Sequence, residues 1–455
     1  MSLFSIDLVK CYHRKTGGSL SASCLENLCF VKGDTMGTLF QDLNRTHWNV
    51  LFATCFAWTL NGVDVMSFMM VMRPIMAEFG VSPAVAGFMA SISLITAFIG
   101  GTFSGLFADK YGRKPTFMLN VAIFTTALVL VAMGSSPAEL LIGRAILGIG
   151  FGGTYSAIQP LLNETWPGQH RGKGAAIMQS GFGIGSALAA ALAGLVVPVW
   201  GWRALFWAGV IPGYFLLIWV WLTIPESPVW KENREALLKA REEQKSLKAA
   251  AYKELIQGKL LRYSLLTLFF FSFIQMGFGG FFTWLPTYLG SPADSGGAGL
   301  SIYKSSAFMT FMQVGGITGL WCFGFLIDKW GRRPCFITFL LLATVLLVSF
   351  ANIRQEWVLF WLGPVASFFG RGYYGGFGAL MSELYPTRLR ATAIGVIYST
   401  ARATGALSPV LIGAAAVKYG FGAAMSGAGV CFVLAAIIVY FLPETLGRDL
   451  TQEND

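Results

Sequence analysis

Charge is what this sequence has least of. Only 12% of its 455 residues are Asp, Glu, Lys or Arg and 55% are hydrophobic, where a soluble globular domain carries roughly a quarter charged residues. A water-soluble core cannot absorb that excess. Histidine is scarcer still: the three present, His13, His47 and His170, form no HExxH pattern, the usual helix-borne zinc site. GxSxG and GxxxxGK patterns are missing as well, so neither a hydrolase elbow nor the motor of an ATP-driven pump is recognisable. No catalytic group, metal or cofactor is expected. The seven cysteines (Cys11, Cys24, Cys29, Cys55, Cys322, Cys335, Cys431) include no CxxC pair, and those inside apolar runs read as small hydrophobes rather than as disulfide or zinc partners. The first 47 residues lack the apolar core and cleavage site of a secretory signal. They read as a cytoplasmic tail, and residues 1–35, ahead of Met36, are open to reading as an upstream extension of the start.

Apolar runs fill the rest. About twelve are long enough to cross roughly 30 Å of hydrocarbon at about 20 residues each. They are drawn at 48–72, 84–108, 115–133, 138–162, 175–198, 203–223, 263–289, 304–327, 334–352, 357–383, 392–417 and 421–442. The chain therefore reads as an all-α membrane protein with a tail (1–47), six helices (48–224), a polar amphipathic linker (225–262), six more helices (263–443) and a short tail (444–455). Its net charge of +10 sits in short loops between apolar runs, which argues against a nucleic-acid partner. Alternate loops hold nineteen and five Lys and Arg residues, and cytoplasmic loops carry the excess. That predicts both termini in the cytoplasm and leaves the sequons at Asn44 and Asn163 on the wrong side for glycosylation.

An internal repeat is the strongest feature. GLFADKYGRKP at 105–115 returns as GFLIDKWGRRP at 324–334, a shift of 219 residues; NETWP around Glu164 returns as SELYP around Glu383, and IPESP around Glu226 as LPET around Glu444. Matched features at one period predict two similar six-helix halves related by an axis along the membrane normal.

These motifs resemble the major facilitator superfamily, with GLFADKYGRKP like its signature between helices 2 and 3 and GRAILGIGFGG (143–153) like its helix 4 motif. LNRTHW, NGVD, ETWP and VPVWGWRALFWAGVIP resemble sialate and lactate proton symporters, while TWLPTYL (283–289) and YSTARATGALSP (398–409) also resemble aromatic-acid proton symporters. The chain departs from these patterns at Asn61, where the DGFD pattern has an acid, and at Thr154, where GEYG has a glutamate. The resemblance implies a monomeric multi-pass porter of the inner (plasma) membrane, whose partners are lipid, a proton and a small organic anion. An antiporter or a non-transporting receptor are the alternatives; the run 181–194 lacks the Gly-Pro pair of many exporters, which favours uptake.

A charge at bilayer depth costs at least about 2.5–3.5 kcal/mol, so one that persists has a partner or a task. Asp64 is the acid set deep in the first run, and a desolvated carboxylate can load and release a proton; the alternative is a structural ion pair with an intramembrane arginine. Arg402 and Arg371 reach similar depth in runs 11 and 10, and a guanidinium fork holds a carboxylate with two hydrogen bonds. Arg402 matches the helix 11 arginine of the aromatic-acid porters; Arg371 is either a second anion contact or the partner of Asp64. For Arg144 the resemblance implies proton coupling, with a snorkelling or backbone-bound arginine as the alternative. Asn61, Gln159, Gln179, Gln275 and Gln313 are amides within spans that bind substrate hydroxyls or join helices, and Trp284, Tyr288, Tyr373, Tyr374 and Tyr398 are candidate cavity walls. Asp109, Arg113, Glu164, Asp328, Arg332 and Glu383 belong to the signatures and predict a gating network that holds the halves together in one state and breaks in the other.

Overall fold

The computed structural model describes residues 43–167, 171–228, 230–232, 258–385 and 387–446. The chain divides into two units, Met1–Arg45 and Thr46–Asp455, and the second carries the membrane helices. Nearly all of the tail expected at 1–47, most of the linker expected at 225–262 and the end of the tail at 444–455 lie outside the described residues.

Every element among the described residues is helical, as a chain in lipid requires, because each backbone group must find its partner inside its own segment. Helix α1 runs Arg45–Phe79, α2 Pro83–Tyr111, α3 Arg113–Met133 and α4 Pro137–Thr165. A continuous helix, Arg171–Thr223, turns at Gly201 and supplies two spans, α5 over 171–200 and α6 over 202–223. Then come α7 Gly258–Gly290, α8 Ile302–Trp330 and α9 Arg332–Asn352. Span α10 has three pieces, Glu356–Gly372, the 3₁₀ turn Tyr373–Gly376 and Phe377–Leu384. Span α11 is Thr387–Gly405 with Ser408–Tyr419, and α12 is Phe421–Ser426 with Ala428–Tyr440. Ten helices among the described residues are each long and apolar enough to cross a bilayer. The turn at Gly201, which fuses two spans, and the break in α10 account for the difference from twelve.

The joints between helices follow the repeat. Gly112 (φ 112°) separates α2 from α3, and Gly331 (φ 97°), 219 residues on, separates α8 from α9; Gly201 (φ 76°) and Gly420 (φ 79°) stand in the same relation between α5 and α6 and between α11 and α12. A side chain at such φ is strained, so glycine makes a one-residue corner where other residues need a loop. Starts are marked by serine caps followed by proline: Ser82 and Ser136 accept from the backbone N–H of Val85 and Glu139, and proline at the first helical position loses no hydrogen bond.

Small residues set the packing, as they do where lipid offers no hydrophobic drive between helices. A Cβ on Gly100 of α2 would lie 2.0 Å from the Ile149 carbonyl of α4, and one on Gly319, its counterpart in α8, 2.2 Å from the Phe368 carbonyl of α10. Between the halves, α2 meets α11 and α5 meets α8. Their close approaches are Gly87 to Pro409, Gly413 to Pro83 and Gly194 to Ser306, all toward the end remote from the signature joints at 112 and 331. The halves thus close on each other at that remote end.

Candidate functional site

At the signature end the two halves carry the same cluster, bond for bond. Arg113 donates to Glu164 through Nε (3.1 Å) and Nη2 (2.9 Å), to Asp109 (2.9 Å) and to the Ala108 carbonyl (2.8 Å). Arg332 repeats this with Glu383 (2.9 and 2.6 Å), Asp328 (3.0 Å) and the Ile327 carbonyl (2.8 Å). Each arginine is buried against its helix ends, and fork-to-carboxylate bonds of this kind are the strong ones. Both clusters close within one half, α2–α3–α4 or α8–α9–α10. The network expected from the sequence holds the halves together in one state and breaks in the other, and in the state described these bonds stay within each half. They make each half's signature end a single block.

Two glutamates beyond that expectation complete the blocks. The Glu226 carboxylate accepts from the backbone N–H of Arg113 (2.9 Å) and Lys114 (3.2 Å) at the start of α3, and Glu444 does the same for Arg332 (2.8 Å) and Arg333 (3.0 Å) at the start of α9. A glycine cannot cap with a side chain, so a distant carboxylate satisfies the orphan donors and meets the positive end of the helix dipole. Burial pushes the Glu444 carboxyl up, but the N–H groups of Arg332, Arg333, Leu446 and Thr445 outweigh it and hold its pKa below the usual glutamate value. A folded-state pKa that is depressed gives stability above the ordinary glutamate range that is lost as pH falls through the folded value. Glu444→Gln is therefore expected to lower the thermal unfolding temperature of the detergent-solubilised protein at neutral pH and to leave a shrinking difference from wild type in acid. An unchanged temperature at neutral pH would count against the cap.

At mid-depth the halves differ. In the N-terminal half, Arg144 of α4 faces Asp64 of α1, its Nη1 lying 2.9 Å from both carboxylate oxygens. The two residues are 3% and 2% exposed. Helix spacing puts Trp58, Asn61, Asp64 and Phe68 on one face of α1. Trp58 stacks on Phe151 of α4 with ring centroids 5.9 Å apart, and Phe68 lies under the Arg144 guanidinium at 4.2 Å. Arg144 is fixed from behind, where Ser93 of α2 donates to its carbonyl (2.9 Å). A single nitrogen serves both oxygens, and Arg144 Nε is buried with no partner among the described residues. The pair is therefore looser than a two-nitrogen fork. Beside it lies a cavity of about 40 Å³, lined by Asp64, Arg144, Ser93 and Phe151 from one half and by Thr283 and Pro409 from the other. Asp64 is thus partnered by Arg144, and not by Arg371, the partner considered from the sequence.

In the C-terminal half the mid-depth arginines have no acid among the described residues. The Arg402 side chain of α11 makes no hydrogen bond or ion pair there; its guanidinium lies 5.6 Å from the ring of Phe151 across the gap. Arg371 of α10 donates through Nη1 to the neutral amide of Gln313 on α8 and lies 4.6 Å from the Phe282 ring and 5.5 Å from that of Phe278. Just past it, where α10 breaks into its 3₁₀ turn, Tyr374 donates to Gln275 of α7. Tyr374 lies within electrostatic reach of Arg371, Arg402 and Tyr398. On the facing wall Tyr155, which accepts from Gln179 at 2.9 Å, lies within reach of Tyr398 and Arg402.

The family model of the Major Facilitator Superfamily matches residues 50–321 and 298–454. The chain belongs to the Major Facilitator Superfamily. It is a multi-pass membrane protein with the superfamily's twelve-helix fold. It is 30% identical over 410 residues to a putative metabolite transport protein of Haemophilus influenzae, covering 90% of this chain and 99% of that one. It is 29% identical to the cis,cis-muconate transport protein of Acinetobacter baylyi (86% and 94% covered) and 27% identical to a sialic acid transporter of Escherichia coli (88% and 95%). Among solved structures it resembles a bacterial homologue of the lysosomal transporter Spinster (TM-score 0.73, 18% identity, 88% and 97% covered) and a D-xylose–proton symporter (0.69, 21%, 89% and 99%).

Within this superfamily fold the remaining sequence candidates divide. Asn61 is buried one turn from Asp64, and its Nδ2 has no partner among the described residues. Tyr373 is buried with its hydroxyl likewise unpartnered. Gln159 donates to Asn163 one turn along its own helix (3.2 Å). Trp284 is fully buried, and its indole N–H donates to the Pro409 carbonyl (2.8 Å), clipping α7 to α11. Tyr288 is buried too, donating to the carbonyls of Phe350 and Ile353. Trp284 is therefore helix packing rather than cavity wall: its one polar group is already satisfied. Phe151, Trp58 and Tyr155 went unmarked in the sequence because aromatic residues inside an apolar span carry no signal of which face they occupy.

Proposed function

We propose that the protein is a secondary active transporter that carries a small organic acid together with a proton by alternating access, and that it is not an enzyme. The observation carrying this reading is that Phe151 separates two opposite requirements. On one side it lines the cavity with the Asp64–Arg144 pair; on the other it lies beneath Arg402, a cation with no acid partner among the described residues. A carboxylate arriving on Arg402 supplies the missing anion. If arrival draws on Arg144 as well, Asp64 is left as a buried carboxylate without its counter-charge, and taking up a proton neutralises it. Loss of that proton restores the pair. Substrate and proton are coupled because the anion that balances the C-terminal half draws Arg144 away from Asp64 and so calls for a proton there. Asn61, Gln275, Gln313, Tyr373 and Tyr374 supply the polar and aromatic wall.

The relatives support the substrate class: muconate, sialic acid, niacin and gallate, which their names give as cargo, are all organic acids. The protein is a monomeric porter of the plasma membrane in this reading, and the Lys and Arg excess favours both termini and the linker of 225–262 in the cytoplasm. On that orientation the conformation described is closed to the outside. Asp109, Arg113, Glu164 and their counterparts Asp328, Arg332 and Glu383 gate by keeping each half's cytoplasmic end rigid as the halves rock.

Uptake of labelled aromatic, sugar and short-chain acids into proteoliposomes, with and without an inward proton gradient, tests this. At least one acid is expected to accumulate only with the gradient, and Arg402→Gln to weaken its half-saturation by about 10- to 100-fold, the worth of a charged hydrogen-bonded contact. Uptake indifferent to the gradient would move the protein to the uniporters. Binding without movement would make it a receptor.

A further inference from the structure

We propose that the transported acid is a dicarboxylate, held by Arg402 at one end and by Arg371 at the other. This rests on the transport reading and narrows its substrate class.

The signature clusters are duplicated atom for atom, so departures from the twofold relation mark where the halves have specialised. Shifting by 219 residues, Arg144 falls on Gly363, Arg371 on Gly152 and Arg402 on Gly183. In each case the counterpart has no side chain. At mid-depth, among the described residues, the N-terminal half thus carries one arginine with its acid, and the C-terminal half carries two arginines with none.

Charge and hydrogen bonding point the same way. Arg113, Arg332, Arg144 and Arg203 each form an ion pair at 2.6–2.9 Å. Arg371 has the amide of Gln313 instead, and its Nε is buried without any acceptor among the described residues. Close by, Tyr373 and Ser367 bury hydroxyls that also lack partners. Ser367 and Arg371 lie side by side: a Cβ on Gly316 would meet Ser367 Oγ at 3.1 Å and the Arg371 Cδ at 2.8 Å. An unpaired buried cation is costly, and a cluster of idle donors around one is the lining an anion requires. Arg371 as a whole keeps part of its surface exposed, while its Nε is buried.

One carboxylate on Arg402 leaves Arg371 unbalanced. Tyr374 lies within electrostatic reach of both arginines, and the rings of Phe278 and Phe282 flank Arg371. A flat or unsaturated spacer between two carboxylates suits that wall, since rings stack where an alkyl chain would only pack.

The test is competition for gradient-driven uptake in proteoliposomes, using cis,cis-muconate, its monomethyl ester and benzoate as probes. In wild type the diacid is expected to inhibit at about 10- to 100-fold lower concentration than the monoester. Arg371→Gln should weaken the diacid at least about ten-fold more than the monoester, Arg371→Lys should recover part of that selectivity by restoring the charge, and Arg402→Gln should weaken both probes alike. Thermal unfolding of each purified variant reports whether it folds, and the Lys variant keeps the test open if Gln does not. A wild type that treats diacid and monoester equally, or Arg371→Gln weakening both to the same degree, overturns the inference. If monocarboxylates accumulate and the diacid has no advantage, only this inference falls; if no acid accumulates under the gradient, the transport reading falls with it.

Discussion

Asp64→Asn is expected to abolish accumulation of substrate against its gradient while leaving exchange of substrate across the membrane. Asparagine keeps the shape of the side chain but cannot take up a proton, so the exchange half of the cycle survives and the energised half does not. The same change strands Arg144, whose ion pair is with Asp64. Removing one partner of a buried pair typically costs about 3–5 kcal/mol, whereas removing both charges is close to neutral. Asp64→Asn should therefore unfold well below wild type, and adding Arg144→Gln should return most of that stability without returning accumulation. Thermal unfolding and gradient-driven uptake on the wild type, the two single variants and the double variant separate the two effects. Accumulation that persists in Asp64→Asn would show the pair to be structural only.

Gly112→Ala should be the most damaging conservative change outside the membrane interior. Its φ of 112° is strained for any side chain, and a Cβ would lie 2.2 Å from Glu226 Oε2. Glu226 is flexible enough to retreat, but retreat gives up the N–H groups of Arg113 and Lys114. Backbone strain of about 1–3 kcal/mol and a lost cap of about 1 kcal/mol then add. At Gly331 the φ is 97° and the Cβ would stand 3.0 Å from Glu444 Oε2, so the strain remains while the carboxylate has to give by only a few tenths of an ångström. Gly112→Ala is expected to lower the unfolding temperature more than Gly331→Ala, as scanning fluorimetry would report. Equal losses would mean that strain alone, and not the glutamate cap, sets the cost.

The repeat made the architecture legible. Two stretches of eleven residues 219 apart predicted the paired halves, and the structure carries that correspondence down to single hydrogen bonds. Twelve spans were legible too, because hydropathy is a one-dimensional property of the chain. Pairing between spans is not. Asp64 and Arg144 are 80 residues apart, and nothing in either segment says that α1 and α4 are neighbours with these faces together. For the same reason the sequence left Arg371 as a candidate partner of Asp64. The signature acids were read as part of a gating network; in the state described Glu164 and Glu383 each pair with their own half's arginine. Trp284 was misplaced by a rule of thumb: an aromatic near the end of a span also serves as a buried clip when a carbonyl such as that of Pro409 comes within reach of its N–H.

The one-residue corners at Gly201 and Gly420 bear on how fast such a molecule can work. A longer connection can flex by itself, letting one helix tilt while its neighbour waits. With a single residue at the corner, α5 drags α6, and α11 drags α12. Opening the remote end is then a concerted swing of helix pairs, opposed chiefly by the small-residue contacts of Gly87 on Pro409 and Gly194 on Ser306. Those contacts are broad but shallow, each made of dispersion alone. They stabilise the state in which that end is closed, so single methyl groups placed there shift the balance between the two faces without touching a charge.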